Sequence, residues 1–183
     1  MGTEGSTMLE PLRQGLPPID QSSVSCSVSC SLTPRYESVK GARQFTQSAL
    51  GRWELDEQFD TVALVVSELV TNALRHALPG DPATAVMDSQ VNLDAPVRLH
   101  LMRWTSRLVC AVRDPSGTSP VAPPAPPPSG GPSSDVPDPD ASAESGRGLY
   151  LVEAFSDSWG WHPLAGTLRG KVVWALFRLP SAT

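Results

Sequence analysis

Val62-Ala-Leu-Val-Val-Ser-Glu-Leu-Val-Thr-Asn-Ala-Leu-Arg-His-Ala77 decides the reading of this 183-residue chain. Within it Glu68, Asn72 and His76 recur every four residues. Residues four apart share one helix face, so a carboxylate, an amide and an imidazole line up as one polar stripe. The remainder is nearly all apolar: Val62, Leu64, Val65, Val66, Leu69, Val70, Ala73 and Leu74. A helix that is apolar around most of its circumference is buried, and a buried carboxylate or amide is costly unless partnered. Two readings of the stripe follow, a lined cavity or a helix edge whose polar groups are satisfied by neighbours. We expect the cavity.

Three further segments extend the pattern. Leu108-Val-Cys-Ala-Val-Arg-Asp-Pro-Ser-Gly117 reads as a strand that ends in Asp114 and a turn. Gly146-Arg-Gly-Leu-Tyr-Leu-Val152 opens a second helix with two glycines, and Gly170-Lys-Val-Val-Trp-Ala-Leu-Phe177 is a glycine followed by a strand. Taken in order, these segments resemble the asparagine box and the three glycine boxes of the ATPase superfamily that joins gyrase, heat-shock chaperones, histidine kinases and MutL. They are most similar to small bacterial anti-sigma-factor serine/threonine kinases. The resemblance runs from about Ser22 onward. Each box alone is a common pattern; their order and spacing carry the likeness.

The resemblance implies an α/β fold, a two-layer sandwich of a mixed, mostly antiparallel sheet and helices, binding ATP with Mg²⁺. A carboxylate can orient or deprotonate a hydroxyl nucleophile, and an amide oxygen is a hard ligand suited to Mg²⁺. The resemblance assigns the first, catalytic role to Glu68 and the second, as metal and nucleotide ligand, to Asn72. Arg75 and His76 either approach phosphate or act as helix-end cations favoured by the macrodipole; both readings stand. Asp114 would accept a hydrogen bond from the exocyclic amine of adenine, although an aspartate before proline is also an ordinary turn initiator. Gly117 would let the backbone pass close to the base. Here the chain departs from the family: Pro115-Ser116 precede Gly117, and Thr118 stands where a second glycine is common. That leaves the aspartate role intact and alters the first hinge of the lid.

Gly146, Arg147, Gly148 and Leu149 would bring backbone N–H groups, and one guanidinium, against phosphates at a helix start. The sequence contains neither a Walker loop nor a dinucleotide fingerprint. Gly170 would close the pocket floor. Trp159, Trp161 and Trp174 read as core or covering aromatics rather than adenine platforms.

Composition narrows the partners. A net charge of −5 and a pI near 5.1 argue against a nucleic-acid surface, which needs a basic stripe. Only Lys40 and Lys171 are lysines among 14 basic residues. No apolar run reaches the length of a membrane span, and Glu4 and Glu10, with no apolar core between them, do not make a signal peptide. Cys26 and Cys30 alternate with Val24, Val28 and Leu32 in a strand, which sets them about 13 Å apart, too far for a disulfide. With Cys110 they read as three buried thiols of a reducing cytoplasm.

Along the chain, residues 1–21 mix glycine, serine, proline and charge without period and are expected to form a disordered tail. Residues 22–183 would be one ATP-binding domain. A strand over about 23–32 leads to a helix over Ser38–Leu50, with Val39, Ala42, Phe45, Ala49 and Leu50 at helical spacing. Asp56 or Asp60 could cap the next helix, and residues 79–94 read as a polar loop. Val97–Trp104 alternates as a strand, with Val97, Leu99, Leu101 and Arg103 on one side. Residues 115–145 hold ten of the 19 prolines and cannot form a packed element. In the family the ATP lid lies here, so residues 118–145 are expected to be that lid. Helix Leu149–Phe155 and strands over Ser158–His162 and Lys171–Leu179 complete the reading.

The resemblance therefore implies an ATP-binding regulator, a serine/threonine protein kinase that phosphorylates an anti-anti-sigma partner and also sequesters a sigma factor. A non-catalytic, nucleotide-gated binding module is the alternative, since one pocket serves both. Homodimerisation is left open. A sensor histidine kinase is disfavoured because His76, His100 and His162 all lie in the ATP domain, and a gyrase-like ATPase because no transducer segment follows Thr183 in this sequence.

Overall fold

Alternation of side chains builds a five-stranded sheet. In the computed structural model, which describes residues 25–77, 97–117, 119–120, 143–164 and 170–180, the strands are β1 (Cys26–Leu32), β2 (Val97–Trp104), β3 (Arg107–Asp114), β4 (Ser158–Pro163) and β5 (Lys171–Arg178). Their order is β1-β2-β3-β5-β4, and all four ladders are antiparallel. The Thr105-Ser106 turn makes β2 and β3 neighbours. β5 then pairs with β3 in the register Asp114↔Lys171, Val112↔Val173, Cys110↔Ala175.

Three helices lie on one face: α1 (Glu37–Arg52), α2 (Phe59–Ala77) and α3 (Ala143–Phe155). Their apolar sides and the inward residues of the sheet form one core. It includes Leu50, Val62, Val65, Val66, Leu69, Val70 and Leu74 from the helices and Leu99, Leu101, Leu108, Cys110, Val112, Ala175 and Phe177 from the strands. α1 buries Ala42, Thr46, Ala49 and Leu50, a narrow stripe of mostly small residues that suits close contact with α2. Arg103, half-buried, reaches from β2 to donate from Nη1 to the Trp53 carbonyl at 2.5 Å, tying the entry to α2 to that end of the sheet.

The opposite face of the sheet is also apolar. Met102, Trp104, Val109, Ala111, Val172, Trp174 and Leu176 form a second buried cluster. The central strands are therefore largely apolar on both sides, with Arg98, His100 and Arg113 as exceptions on the outer face, and the edge strand β1 carries a polar outer row of exposed Ser27, Ser29 and Ser31. Of the tryptophans, Trp174 is buried in this second cluster, Trp159 packs partly buried against the main core and Trp161 is 38% exposed, in line with covering roles.

Several expectations are corrected. Neither Asp56 nor Asp60 stands immediately before α2. Asp56 opens a 3₁₀ turn (Asp56–Gln58) that leads into the helix, and Asp60 lies in the first helical turn. α3 starts at Ala143, so Gly146 and Gly148 lie inside its first turns rather than ahead of it, and residues 143–145 belong to the helix rather than to a lid. Of the three thiols only Cys110 is fully buried; Cys26 and Cys30 are half-buried on the helix side of β1. Burial pushes the Cys110 thiol up to about 12 and that of Cys30 up to about 11, so both stay protonated and unreactive at neutral pH. The expected tail 1–21 and loop 79–94 lie outside the described residues, as does most of 118–145. Among the described residues no helix is long and apolar enough to cross a membrane.

His100 sits on the second face, buried, between Arg98 and Arg113 on neighbouring positions. Burial, reinforced by the two guanidinium charges, lowers its pKa to about 4. The unfolded chain protonates this imidazole near its ordinary value of about 6.5, so its contribution is present above that pH and is lost as pH falls towards 4. The difference amounts to about 3 kcal/mol. Urea unfolding at pH 7 and pH 4 should show that loss in the wild type, beyond the loss seen in His100→Gln. Equal pH dependence in the two proteins would remove His100 from the account.

Candidate functional site

The polar stripe of α2 meets the backbone of α3. Glu68 and Asn72 are half-buried while Leu69, Val70, Ala73 and Leu74 around them are buried. Facing them is Gly148, itself buried. A Cβ on Gly148 would lie 2.8 Å from Glu68 Oε2 and 3.5–3.6 Å from the Asn72 amide atoms. Real Cβ atoms essentially never show the first distance, so a larger residue would push the Glu68 carboxylate aside, and glycine is what lets carboxylate, amide and backbone meet here. Both side-chain ends therefore converge on one point of the facing helix, rather than on packed core. Leu149 beside it is buried.

A second polar group lies at the end of β3. Asp114 and Lys171 are register partners on the helix-facing side of the sheet, and their side chains are only 3% and 2% exposed. Lys171 Nζ stands 2.7 Å from Asp114 Oδ2. The Ser116 N–H donates to Asp114 Oδ1 at 2.8 Å, and Lys171 Nζ donates to the Ser116 carbonyl at 3.1 Å. The turn after β3 is thus clamped to the start of β5. Desolvating an ion pair is expensive, and removing one partner of such a buried pair costs about 3–5 kcal/mol.

Gly170 explains how β5 enters so close. Its φ is +110°, a region that side chains other than glycine avoid, and a Cβ would fall 2.3 Å from the Asp114 carbonyl oxygen. The expected floor of the pocket is therefore in direct contact with the Asp114-Pro115 backbone. Gly117 differs: it is exposed, and nothing lies within 4 Å of where its Cβ would be. No described neighbour requires glycine there.

α2 packs against α3 and also against β3 and β5, the strands that carry Asp114 and Lys171. Arg75 is exposed and engaged with a neighbour. The side chains of His76 and Arg147, and the surroundings of Gly146, lie outside the described residues; their backbones lie in α2 and α3. Lys171 is the residue that sequence reading missed as a site residue. Its signal was faint: one of two lysines, placed at the first position of an apolar strand, with its partner 57 residues away and visible only once the register is known.

The family model of the histidine kinase-like ATPase domain matches residues 32–176. The match takes in Glu68, Asn72, Asp114, Gly148 and Gly170. No curated protein matches the chain.

Replacing Gly148 tests the first group. Alanine favours a helix interior over glycine by about 1 kcal/mol, and its methyl would displace the mobile end of Glu68. Gly148→Ala should keep thermal stability within a few degrees of wild type while weakening any ligand held between α2 and α3 at least tenfold. Gly170→Ala, where backbone faces backbone, should instead lower the melting temperature. The reverse ranking in calorimetry would contradict both assignments.

Proposed function

The chain belongs to the histidine kinase-like ATPase domain family, and from that premise we propose that it is a cytoplasmic serine/threonine protein kinase of the anti-sigma type. It binds ATP with Mg²⁺, phosphorylates a serine on an anti-anti-sigma partner and sequesters a sigma factor. The observation that carries this reading is the convergence of Glu68 and Asn72 on the Gly148 backbone. A carboxylate and an amide oxygen at one point of a helix seam match what phosphoryl transfer asks of a protein, which is mostly positioning and charge neutralisation.

The residues present fit Mg²⁺. Asn72 supplies one hard oxygen, and among the described residues no group of three or more His, Cys, Asp or Glu side chains could cage a metal alone. An ion held by one amide oxygen takes its other ligands from phosphates and water, as Mg²⁺ commonly does. When bound, it would neutralise phosphate charge. Glu68 accepts the proton of the partner serine as its oxygen bonds to the γ-phosphorus and the bond to ADP breaks. Asp114, at the end of β3, would take the adenine amine. The path of α2 supports this division. The chain enters α2 soon after Trp53, whose carbonyl is held by Arg103 at the opposite end of the β2–β3 ladder from Asp114, and α2 packs on both β3 and β5, the strands that carry Asp114 and Lys171.

Two variants separate binding from chemistry. Asn72→Ala should weaken ATP in the presence of Mg²⁺ by about ten- to a hundredfold in calorimetry. Glu68→Gln keeps shape and hydrogen bonding but not basicity, so it should bind ATP within a few-fold of wild type and transfer no label from γ-labelled ATP to serine-bearing anti-anti-sigma proteins. Transfer by Glu68→Gln at the wild-type rate would contradict the assignment. ATP binding by the wild type with no transfer to any such protein would favour a nucleotide-gated binding module.

A further inference from the structure

Among the described residues, the Asp114–Lys171 pair holds hydrogen-bonding capacity that goes unused. An ammonium has three N–H donors. In Lys171 one goes to Asp114 Oδ2 and one to the Ser116 carbonyl, and no described residue takes the third. The Asp114 carboxylate accepts from Ser116 N–H and from Lys171, which leaves further lone pairs on both oxygens. Both side chains are at least 97% buried, and buried donors of this kind ordinarily find a partner. A buried donor adjacent to a buried acceptor, both with spare capacity, calls for a ligand edge that presents an acceptor beside a donor.

We propose that Lys171 is a base-reading residue, donating its third N–H to the ring nitrogen N1 of adenine while Asp114 accepts from the neighbouring 6-amino group. The inference rests on the ATP reading above and adds to it a specificity-determining residue. It follows from chemistry on the page. Adenine carries a donor, the 6-amino group, directly beside an acceptor, N1, at the spacing of two atoms bonded to one ring carbon. The ion pair presents the complementary order, acceptor beside donor, with its two heavy atoms 2.7 Å apart. The clamp through Ser116 and the left-handed Gly170 hold the ammonium where it stands, so the pair is organised before the base arrives. A purine without an acceptor at N1 would leave the ammonium N–H unsatisfied in a dry site, a penalty larger than the simple loss of one contact.

Two ATP analogues and one label test this in the unmodified protein. 1-Deaza-ATP replaces N1 by C–H, and 7-deaza-ATP changes the far side of the ring. Calorimetry should show 7-deaza-ATP binding within a few-fold of ATP and 1-deaza-ATP about ten- to a hundredfold weaker. Because Lys40, which is exposed, and Lys171 are the only lysines, ¹⁵N-lysine labelling gives two side-chain signals, one from a buried ammonium. Saturating ATP should shift the Lys171 Nζ signal, and saturating 1-deaza-ATP should leave it near its free position. Equal affinity for ATP and 1-deaza-ATP, an unmoved Lys171 signal, or tighter binding of GTP than ATP would overturn the inference while leaving the kinase reading standing. Failure of ATP itself to bind would overturn that reading and this inference together.

Discussion

The burial of α2 is the constraint on which the rest of the structure depends. Its apolar residues leave one stripe of the circumference polar, and that stripe must lie where the sheet and the other helices do not close over it. The seam between α2 and α3 is such a place. There the carboxylate of Glu68 and the amide of Asn72 keep partial access, and the missing side chain of Gly148 provides the room. The site is a consequence of how the helix packs: a sheet that buries Val66, Leu69, Val70, Ala73 and Leu74 has to present Glu68 and Asn72 at its margin.

The second polar group obeys a different logic. Nothing in the packing of the core demands an ion pair at the end of β3, and apolar residues of similar volume often serve stability as well or better. The pair persists together with a left-handed glycine and a clamped turn, each restricting how the chain can move. Such arrangements cluster where a binding surface must be rigid before its ligand arrives. The β3–β5 register sets the pair opposite one another, and α2 covers both strands.

Most of the fold was legible in the sequence because period and punctuation agree. The 3.6-residue period of α2, the alternation of β1 and β2, and the turn at Thr105-Ser106 all sit within a residue or a few of where the pattern puts them. What was not legible depended on contacts between distant segments. The second buried face, with Met102, Trp104, Val109 and Trp174, is assembled from neighbouring strands, and alternation alone does not announce it when both rows are apolar. α3 began earlier because Ala143 and Glu144 are good helix formers that a reading centred on the glycines passed over. For the site, Glu68, Asn72, Asp114, Gly148 and Gly170 were marked by motif, whereas Lys171 needed the strand register. Gly117 was marked by motif too, yet its described surroundings give it no work that only glycine can do.

On the proposed reading, the α2–α3 seam and the Asp114–Lys171 pair are two ends of one nucleotide site. A crystal structure of the chain with Mg²⁺ and a non-hydrolysable ATP analogue tests it most directly. The triphosphate should lie between Asn72 and the Gly148 backbone and the adenine edge against Asp114 and Lys171, in a single bound molecule. A nucleotide seated elsewhere, or one whose phosphates occupy the seam while its base points away from Asp114, would contradict it.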